Sequence, residues 1–554
     1  MVSLADLRAW NPGELSEICS VLQARTQILV HEGDDYGKTL PVEGWSGPAA
    51  DDAAAQHRSL MHGLDTIAAG AAVLGKTIGQ ASDAITGVQH ALTNAEEVAR
   101  KYGFQITDSG GVVDTFAGKQ VPPDLHPEDR ARTRTQLVDE VAQILRTATD
   151  IDTDLASVLD RAAAGQFGTG DESTVTAAAA DGMNDPGLTL PEPPPNATPA
   201  QKAAWWATLS DAGRNILIRD RPGSIGAMDG LPATDRDRAN RIVFGRDYQD
   251  LQHQRDDIRH RLDGMKRSDP QQQEEYQALE EQLDTLNGKI AGMDQVKTRL
   301  DQALPGQPPA YLLGINPANS GQAIVAIGNP DTAANVATYV PGTTAGLNDG
   351  MATDIGRSDS MMAMAGKMGS PSTSVITWVG YEAPQSIIPD AISTSYADKA
   401  EPSLRNFQDG LGAAHHGAMN STVIGHSYGT TVVGQTARDL GLPANNVVMV
   451  ASPGVGVDHA NQLHLDGTPQ DQVGQHIYST KSPTDPVPII SNFDGPDIGL
   501  DHVDPLGPDP TTAWFGGQQF QSDAGNPLTS HSDYWLPRSE SLKSMGSIIA
   551  GRQP

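Results

Sequence analysis

The sequence predicts a C-terminal α/β domain with a mostly parallel sheet, preceded by an all-α elongated helical bundle and a helical-hairpin arm. Three observations carry this. Up to about residue 165, apolar residues recur at alternating steps of four and three, the spacing of helices packed along a seam. Residues 235–303 hold two further helical stretches broken at Ser268-Asp269-Pro270. Beyond Pro305 the pattern changes to short apolar runs separated by Gly, Pro and helical segments, the grammar of strands alternating with helices.

The first region, 1–165, opens with Asn11 as the cap of a helix starting at Pro12, with Glu14 reaching back and Leu15, Ile18, Leu22 and Leu29 along one face to about Val30. After Trp45-Ser46-Gly47 comes one very long helix. Its seam of Leu60, Leu64, Ile67, Ala71, Leu74, Ile78, Ala81, Ile85, Val88, Leu92, Ala95 and Ala99 reads as a coiled coil. A Gly-rich break at 108–111 suggests a small hairpin, and a third helix follows Pro127 with Leu137, Val141, Ile144, Ala148, Ile151, Leu155 and Val158 inward. Residues 166–200, ending in Pro191-Glu192-Pro193-Pro194-Pro195, have linker composition. Residues 201–304 form a helical lead-in and the hairpin arm, with Trp205-Trp206 as a buried anchor. Tyr276, Leu279, Leu283 and Leu286 make an apolar stripe between the arm's helices, and the arm serves as a lid or as a spacer. A self-packed arm is expected, removable from Asp237 to Gln302 without unfolding the rest. In the last region, 305–554, strands are expected at 311–314, 323–327, 336–340, 375–379, 421–424, 447–450 and 476–479.

Composition limits the chemistry. Among 554 residues, 38 Lys+Arg stand against 69 Asp+Glu, a formal charge of −31, which argues against a nucleic-acid partner. Cys19 is the single cysteine, so no intramolecular disulfide forms. The N-terminus lacks a signal-peptide pattern and no apolar run reaches the ~20 residues of a membrane span. The expected location is cytoplasmic, or outside the cell by a route that needs no signal peptide. Asp494, Asp497, Asp501, Asp504 and Asp509 crowd one loop but lack the spacing of a calcium loop, so neither a metal nor a cofactor is expected.

One segment carries chemistry. The run Ser421-Thr422-Val423-Ile424 leads into Gly425-His426-Ser427-Tyr428-Gly429 and then a helix, the strand–turn–helix context of a nucleophile elbow, in which glycines flank a serine on a tight turn. Ser427 is the candidate nucleophile. In that architecture the acid and the histidine follow in chain order, which offers Asp485 on a loop past a strand end, with Asp458 as rival, and His531 on a polar loop near the C-terminus, with His502 as rival. His459, His464 and His476 precede Asp485 and fit poorly. Oxyanion donors are expected from the backbone of Tyr428 and from Gly342 or Thr343 in Tyr339-Val340-Pro341-Gly342-Thr343.

From Trp205 to Trp535 the chain resembles a family of actinobacterial α/β hydrolases long catalogued as a domain of unknown function. The resemblance rests on Trp205-Trp206, the Ile225-Gly226 to Leu231-Pro232 segment, Asn240-Arg241, Tyr339 to Thr343, Thr377-Trp378-Val379-Gly380-Tyr381-Glu382-Ala383-Pro384, Gly425 to Gly429, Ser452-Pro453-Gly454 and His531-Ser532-Asp533-Tyr534. It implies the α/β-hydrolase fold and a serine hydrolase with a Ser427, Asp485 and His531 triad, cleaving an ester or related acyl bond of a small molecule. The N-terminal region is similar to the helical-hairpin proteins of type VII secretion, on the Trp45-Ser46-Gly47 turn, which implies a protein partner or a secretion route. A reading from another class remains open at this stage, in which the bundle is the functional part and the hydrolase-like domain a non-enzymatic scaffold.

Overall fold

A computed structural model describes residues 2–123, 125, 127–167, 173–267, 271–302, 307–386, 391, 393–415, 417–486 and 506–554. The chain divides into two units, Met1–Ala197 with Ala204–Ile216, and Thr198–Ala203 with Leu217–Pro554.

In the first unit, helix α1 (Leu4–Ala9) is followed by α2 (Pro12–Gly37) and α3 (Pro48–Lys101). Strands β1 (Phe104–Ile106) and β2 (Val112–Asp114) make the expected small hairpin. Helices α4 (Pro127–Ala163) and α5 (Val175–Asn184) complete the unit's main elements. Asn11 caps α2 as expected, its Oδ1 accepting from the Gly13 and Glu14 amides at 3.1 and 3.4 Å. Glu14, however, accepts from the Asn11 side chain rather than from its backbone. The 54-residue α3 is about 80 Å long by the usual helical rise.

Its seam holds in the C-terminal half, where Ala81, Ile85, Val88, Leu92, Ala95 and Ala99 pack with Leu137, Val141, Ile144, Ala148 and Ile151 of α4. In the N-terminal half it fails. Leu60 and Ile67 are 55% and 59% exposed, while Ala68, Ala69, Ala72 and Val73 are buried instead. The cause is α5, which lies in the stretch read as linker. Thr174 caps it, and Gly182 approaches α3 so closely that a Cβ there would sit 2.4 Å from the Ala69 carbonyl oxygen. Small residues let two helix backbones meet where larger side chains would hold them apart. Both tryptophans of the pair are 1% exposed, and Trp205 Nε1 donates to the Pro191 carbonyl at 2.7 Å.

The unit boundary falls within α6 (Pro199–Ala207) and α7 (Asp211–Asp220). The second unit then runs through α8 (Pro222–Gly226) and the arm helices α9 (Ala233–Asp263) and α10 (Gln273–Asp301). Its strands are β3 (Ala310–Asn316), β4 (Gln322–Ile327), β5 (Asn335–Val340), β6 (Thr373–Val379), β7 (Asn420–His426), β8 (Asn446–Val450), β9 (Ile477–Thr480) and β10 (Gln518–Gln519). They form one sheet in the order β10-β9-β8-β7-β5-β6-β4-β3. Every pair from β6 through β5 to β10 is parallel, whereas β3–β4 and β4–β6 are antiparallel. Helices α11 (Met351–Lys367), α12 (Ser395–Ala414), α13 (Tyr428–Asp439) and α14 (Glu540–Ile549) connect and flank them. Because β5 lies between β6 and β7, the chain leaves β5 on one side and returns to the other. The C-terminal ends of β5 and β7 are thus a topological switch point, the place where open α/β sheets characteristically form a ligand crevice. Among the described residues no helix is long and apolar enough to cross a membrane.

The outer edge of β3 is closed by side chains of α9. Asn240 Nδ2 donates to the Leu312 and Gly226 carbonyls, both at 3.0 Å, and Arg236 Nη2 donates to the Leu313 carbonyl at 2.6 Å. Asp237 accepts from the Leu312 amide at 2.7 Å, and Arg241 is paired to Asp237. These polar groups replace the neighbouring strand that an edge lacks. Leu279 and Leu286 of the α10 stripe are buried with Leu251 and Ile258 of α9 in one core that also takes Leu312 and Val325 of the sheet, so the arm's apolar side is continuous with the unit's core rather than packed on itself alone. Removing residues 237–302 would also strip Asp237, Asn240 and Arg241 from β3, so the arm is not a detachable piece. Asn240→Ala, which strips the buried Leu312 carbonyl of this donor and leaves the Gly226 carbonyl to Arg236 Nε at 3.2 Å, is expected to cost about 1–3 kcal/mol in chemical denaturation. An unchanged midpoint would show that the edge is closed in some other way.

Candidate active site

Ser427 sits at the end of β7 and begins α13, with φ 52° and ψ −128°, a backbone region that non-glycine residues seldom occupy. Three glycines make room for it. A Cβ at Gly425 would lie 2.6 Å from Thr430 Cα, one at Gly429 2.1 Å from the Val340 carbonyl oxygen, and one at Gly342 2.7 Å from the His426 carbonyl oxygen. The turn is tied down by the Ser427 amide, which donates to the Val450 carbonyl at 2.9 Å, and by the Thr430 and Ser452 hydroxyls 2.6 Å apart. Thr431 donates to the Gly454 carbonyl, so the Ser452-Pro453-Gly454 motif serves to brace the start of α13.

The loop after β5 lies against this turn, since the same Cβ at Gly342 would be 2.8 Å from Ser427 Cβ and 2.9 Å from the Tyr428 amide nitrogen. It is shaped by Thr344, which has φ 67° and whose amide donates to the Pro384 carbonyl. Tyr381 holds it from behind, donating its hydroxyl to the Pro341 carbonyl at 2.7 Å. On α10, Gly292 abuts Leu347 and Asn348, just past this loop. The Tyr428 side chain points into the protein rather than the crevice. Its hydroxyl donates to the Ser393 carbonyl, and burial pushes its phenol up to about 12.

The His531 ring carries the next contact. Its Nδ1 is 3.0 and 2.9 Å from the two Asp485 carboxylate oxygens. The Asp485 side chain is wholly buried while that of His531 is 27% exposed, so the pair reaches the surface only through the imidazole. Asp485 Oδ2 also accepts from the Tyr534 hydroxyl at 2.7 Å, and that hydroxyl accepts from the Ser482 amide at 2.8 Å. Burial, reinforced by the carboxylate, holds the Tyr534 phenol far above its ordinary range, so it remains a donor. Among the described residues no hydrogen bond joins the Ser427 hydroxyl to His531. Such bonds commonly tighten only once a substrate is bound.

His426, one residue before Ser427, links the two halves. Its Nε2 lies 2.9 Å from the His531 carbonyl oxygen, and its ring is 4.9 Å from the His531 ring and 4.9 Å from the Trp535 ring. The guanidinium of Arg357 lies 4.4 Å from the other partner in this stack, Trp535, and is itself held by Asp354 at 3.0 Å and the Tyr339 hydroxyl at 2.8 Å. Burial first, and then Arg357 and His531, push His426 well below the ordinary histidine value.

The rivals fall elsewhere. Asp458 is exposed, with its amide bonded to Gln462. His459 caps a short 3-10 turn, His464 bonds Gln470, and His476 bonds Asn446. His502 and Asp494, Asp497, Asp501 and Asp504 lie outside the described residues. Asp509, of the same acidic run, pairs with Lys481, a cation supplied by the loop that also holds Asp485. Sequence reasoning passed over Tyr534 and His426 as functional groups. The one signal was their place inside the motifs His531-Ser532-Asp533-Tyr534 and Gly425-His426-Ser427.

A buried neutral histidine leaves a mark on stability. Below about pH 6.5 the unfolded chain takes up a proton at His426 that the folded chain refuses, so stability falls as pH drops. Between pH 7.5 and 5.5 the wild type is expected to lose about 1.4 kcal/mol more than His426→Gln in parallel urea titrations. Equal losses would show that His426 accepts its proton in the folded state.

Residues 316–494 match the family described as alpha/beta hydrolase. An uncharacterized protein of Mycobacterium tuberculosis strain H37Rv is 30% identical over 386 residues, 65% of this chain and 56% of the relative. A second uncharacterized protein of that strain is 28% identical over 182 residues, 30% of this chain and 66% of the relative. The chain thus spans little more than half the length of the first of these relatives. The crystal structure of esterase LipW from Mycobacterium marinum aligns with a TM-score of 0.28 at 14% identity, covering 47% of this chain and 85% of that chain. With a switch point between β5 and β7, a mostly parallel sheet and this family match, the second unit has the α/β-hydrolase fold, and its curated relatives are mycobacterial proteins of uncharacterized function.

Proposed function

We propose that the second unit is a serine hydrolase that cleaves an ester or related acyl bond of a small molecule through Ser427, His531 and Asp485. The observation that carries this reading is the contact of His531 Nδ1 with both oxygens of a wholly buried Asp485, in a loop braced against the residue preceding a strained serine. Ser427 Oγ attacks the acyl carbonyl carbon while its proton passes to His531 Nε2. Asp485 keeps the proton of the neutral ring on Nδ1 and stabilises the imidazolium. The oxyanion is received by the Tyr428 amide, with a second donor from Gly342 or Thr343. Collapse breaks the ester C–O bond, His531 returns the proton to the leaving alcohol, and water repeats the sequence to release the acid.

Fluorophosphonate labelling tests the nucleophile. Label is expected on the wild type and absent from Ser427→Ala, and label that persists in the variant overturns the assignment. Turnover of short p-nitrophenyl esters is expected to fall by roughly 10⁴-fold or more in His531→Ala. Equal rates from both proteins, or none from either, would favour the scaffold reading.

We further propose that the first unit docks a protein partner and links the enzyme to a type VII-like secretion route. Support comes from Trp45 of the Trp45-Ser46-Gly47 turn, 47% exposed between α2 and α3, with Val42 50% exposed beside it in sequence. A tryptophan left in solvent is a frequent anchor for binding. In an actinobacterial host, Trp45→Ala is expected to abolish appearance of the protein in the culture medium while leaving its cellular level unchanged. Undiminished export by the variant would remove this reading.

A further inference from the structure

We propose that Tyr534 and His426 are positioning residues that fix the His531 imidazole from two sides, one through its acid and one through its backbone. This rests on the reading of His531 as the base. Tyr534 is three residues beyond His531, yet its hydroxyl reaches Asp485, on the other loop, at 2.7 Å, and takes the Ser482 amide at 2.8 Å. The two loops that supply acid and base are therefore tied by a residue of the base's own loop. Both partners of that tie are enclosed, with Tyr534 1% and Asp485 3% exposed. The hydroxyl occupies one lone-pair direction of Oδ2 and prevents the carboxylate from turning away from Nδ1.

His426 acts on the other side. A carbonyl oxygen only accepts, so the contact of His426 Nε2 with the His531 carbonyl places a proton on Nε2 and fixes the His426 tautomer. The burial that keeps this ring neutral preserves that single donor arrangement. The ring cannot swing, because Trp535 meets it edge-on at 4.9 Å and Arg357 lies under Trp535 at 4.4 Å, anchored by Asp354 and Tyr339. A base must hold its geometry to within about 0.5 Å. The residue next to the nucleophile thus registers the base's main chain against the elbow itself.

The test reads the ring directly. The ¹⁵N spectrum of His531 near pH 8 distinguishes the Nδ1–H from the Nε2–H tautomer, and the wild type is expected to be mainly Nδ1–H. Loss of one hydrogen bond worth about 1.4 kcal/mol shifts such a ratio about tenfold. Tyr534→Phe and His426→Leu are each expected to lower the Nδ1–H to Nε2–H ratio about tenfold and to lower kcat on p-nitrophenyl esters with KM within about twofold. His426→Gln, whose amide keeps a donor near the Nε2 position, is expected to restore the ratio. Should His426→Leu not fold, Tyr534→Phe decides alone, because it keeps the buried ring. One tautomer ratio common to all the proteins overturns the positioning role. A ratio that responds to these substitutions in a protein inactive on esters upholds it and removes the hydrolase reading instead.

Discussion

Everything around the site follows from one strained torsion. Ser427 holds a positive φ that costs a non-glycine residue about 1–3 kcal/mol, and such strain persists only where the surroundings over-determine it. They do so by crowding. Gly425, Gly429 and Gly342 bring three backbone segments closer than any side chain permits, and β8, through the Val450 carbonyl, holds the serine amide. The sheet order is part of the same device, since only a strand inserted between β6 and β7 delivers the Pro341-Gly342 turn onto the elbow. The glycines of the motif are thus steric requirements of the site, and the two flanking the serine hold it from different directions: Gly425 against its own helix, Gly429 against β5.

Charge is handled by enclosure and partnership. Asp485 is buried, which is tolerable because His531 and Tyr534 both donate to it. Arg357 and Asp354 are enclosed together and share the Tyr339 hydroxyl, so that an ion pair stands under an aromatic ring next to a histidine kept neutral. An enclosed cation behind Trp535 adds to burial in discouraging a positive charge on His426.

Much of this was legible in the sequence, and the boundary is instructive. The elbow was readable because its requirement is local: a strand, a glycine-flanked serine and a helix must be contiguous. Chain order favoured Asp485 and His531, but their meeting depends on packing between loops 46 residues apart, which spacing alone does not encode. The seam of α3 was correct where α4 covers it and wrong at Leu60 and Ile67, because the covering helix α5 is short, alanine-rich and set in a stretch of Gly, Thr and Pro. Asn240 and Arg241 stood out in the sequence without a role. Their role is backbone capping of a strand some seventy residues later in the chain, and no periodicity reports such a bond.

That capping has a bearing on quality control in the cell. The β3 edge is finished only after α9 has been made, and α9 precedes β3 in the chain, so during synthesis the cap is waiting before the strand emerges. A fragment that began after α10 would present β3 bare, with unsatisfied amides and carbonyls along an apolar strand, a template for pairing with other chains. At the opposite end of the sheet the edge is a two-residue strand, too short to recruit a partner. The same α9 side chains that finish β3 thus shield that edge from other chains, and a cut between arm and sheet would expose it.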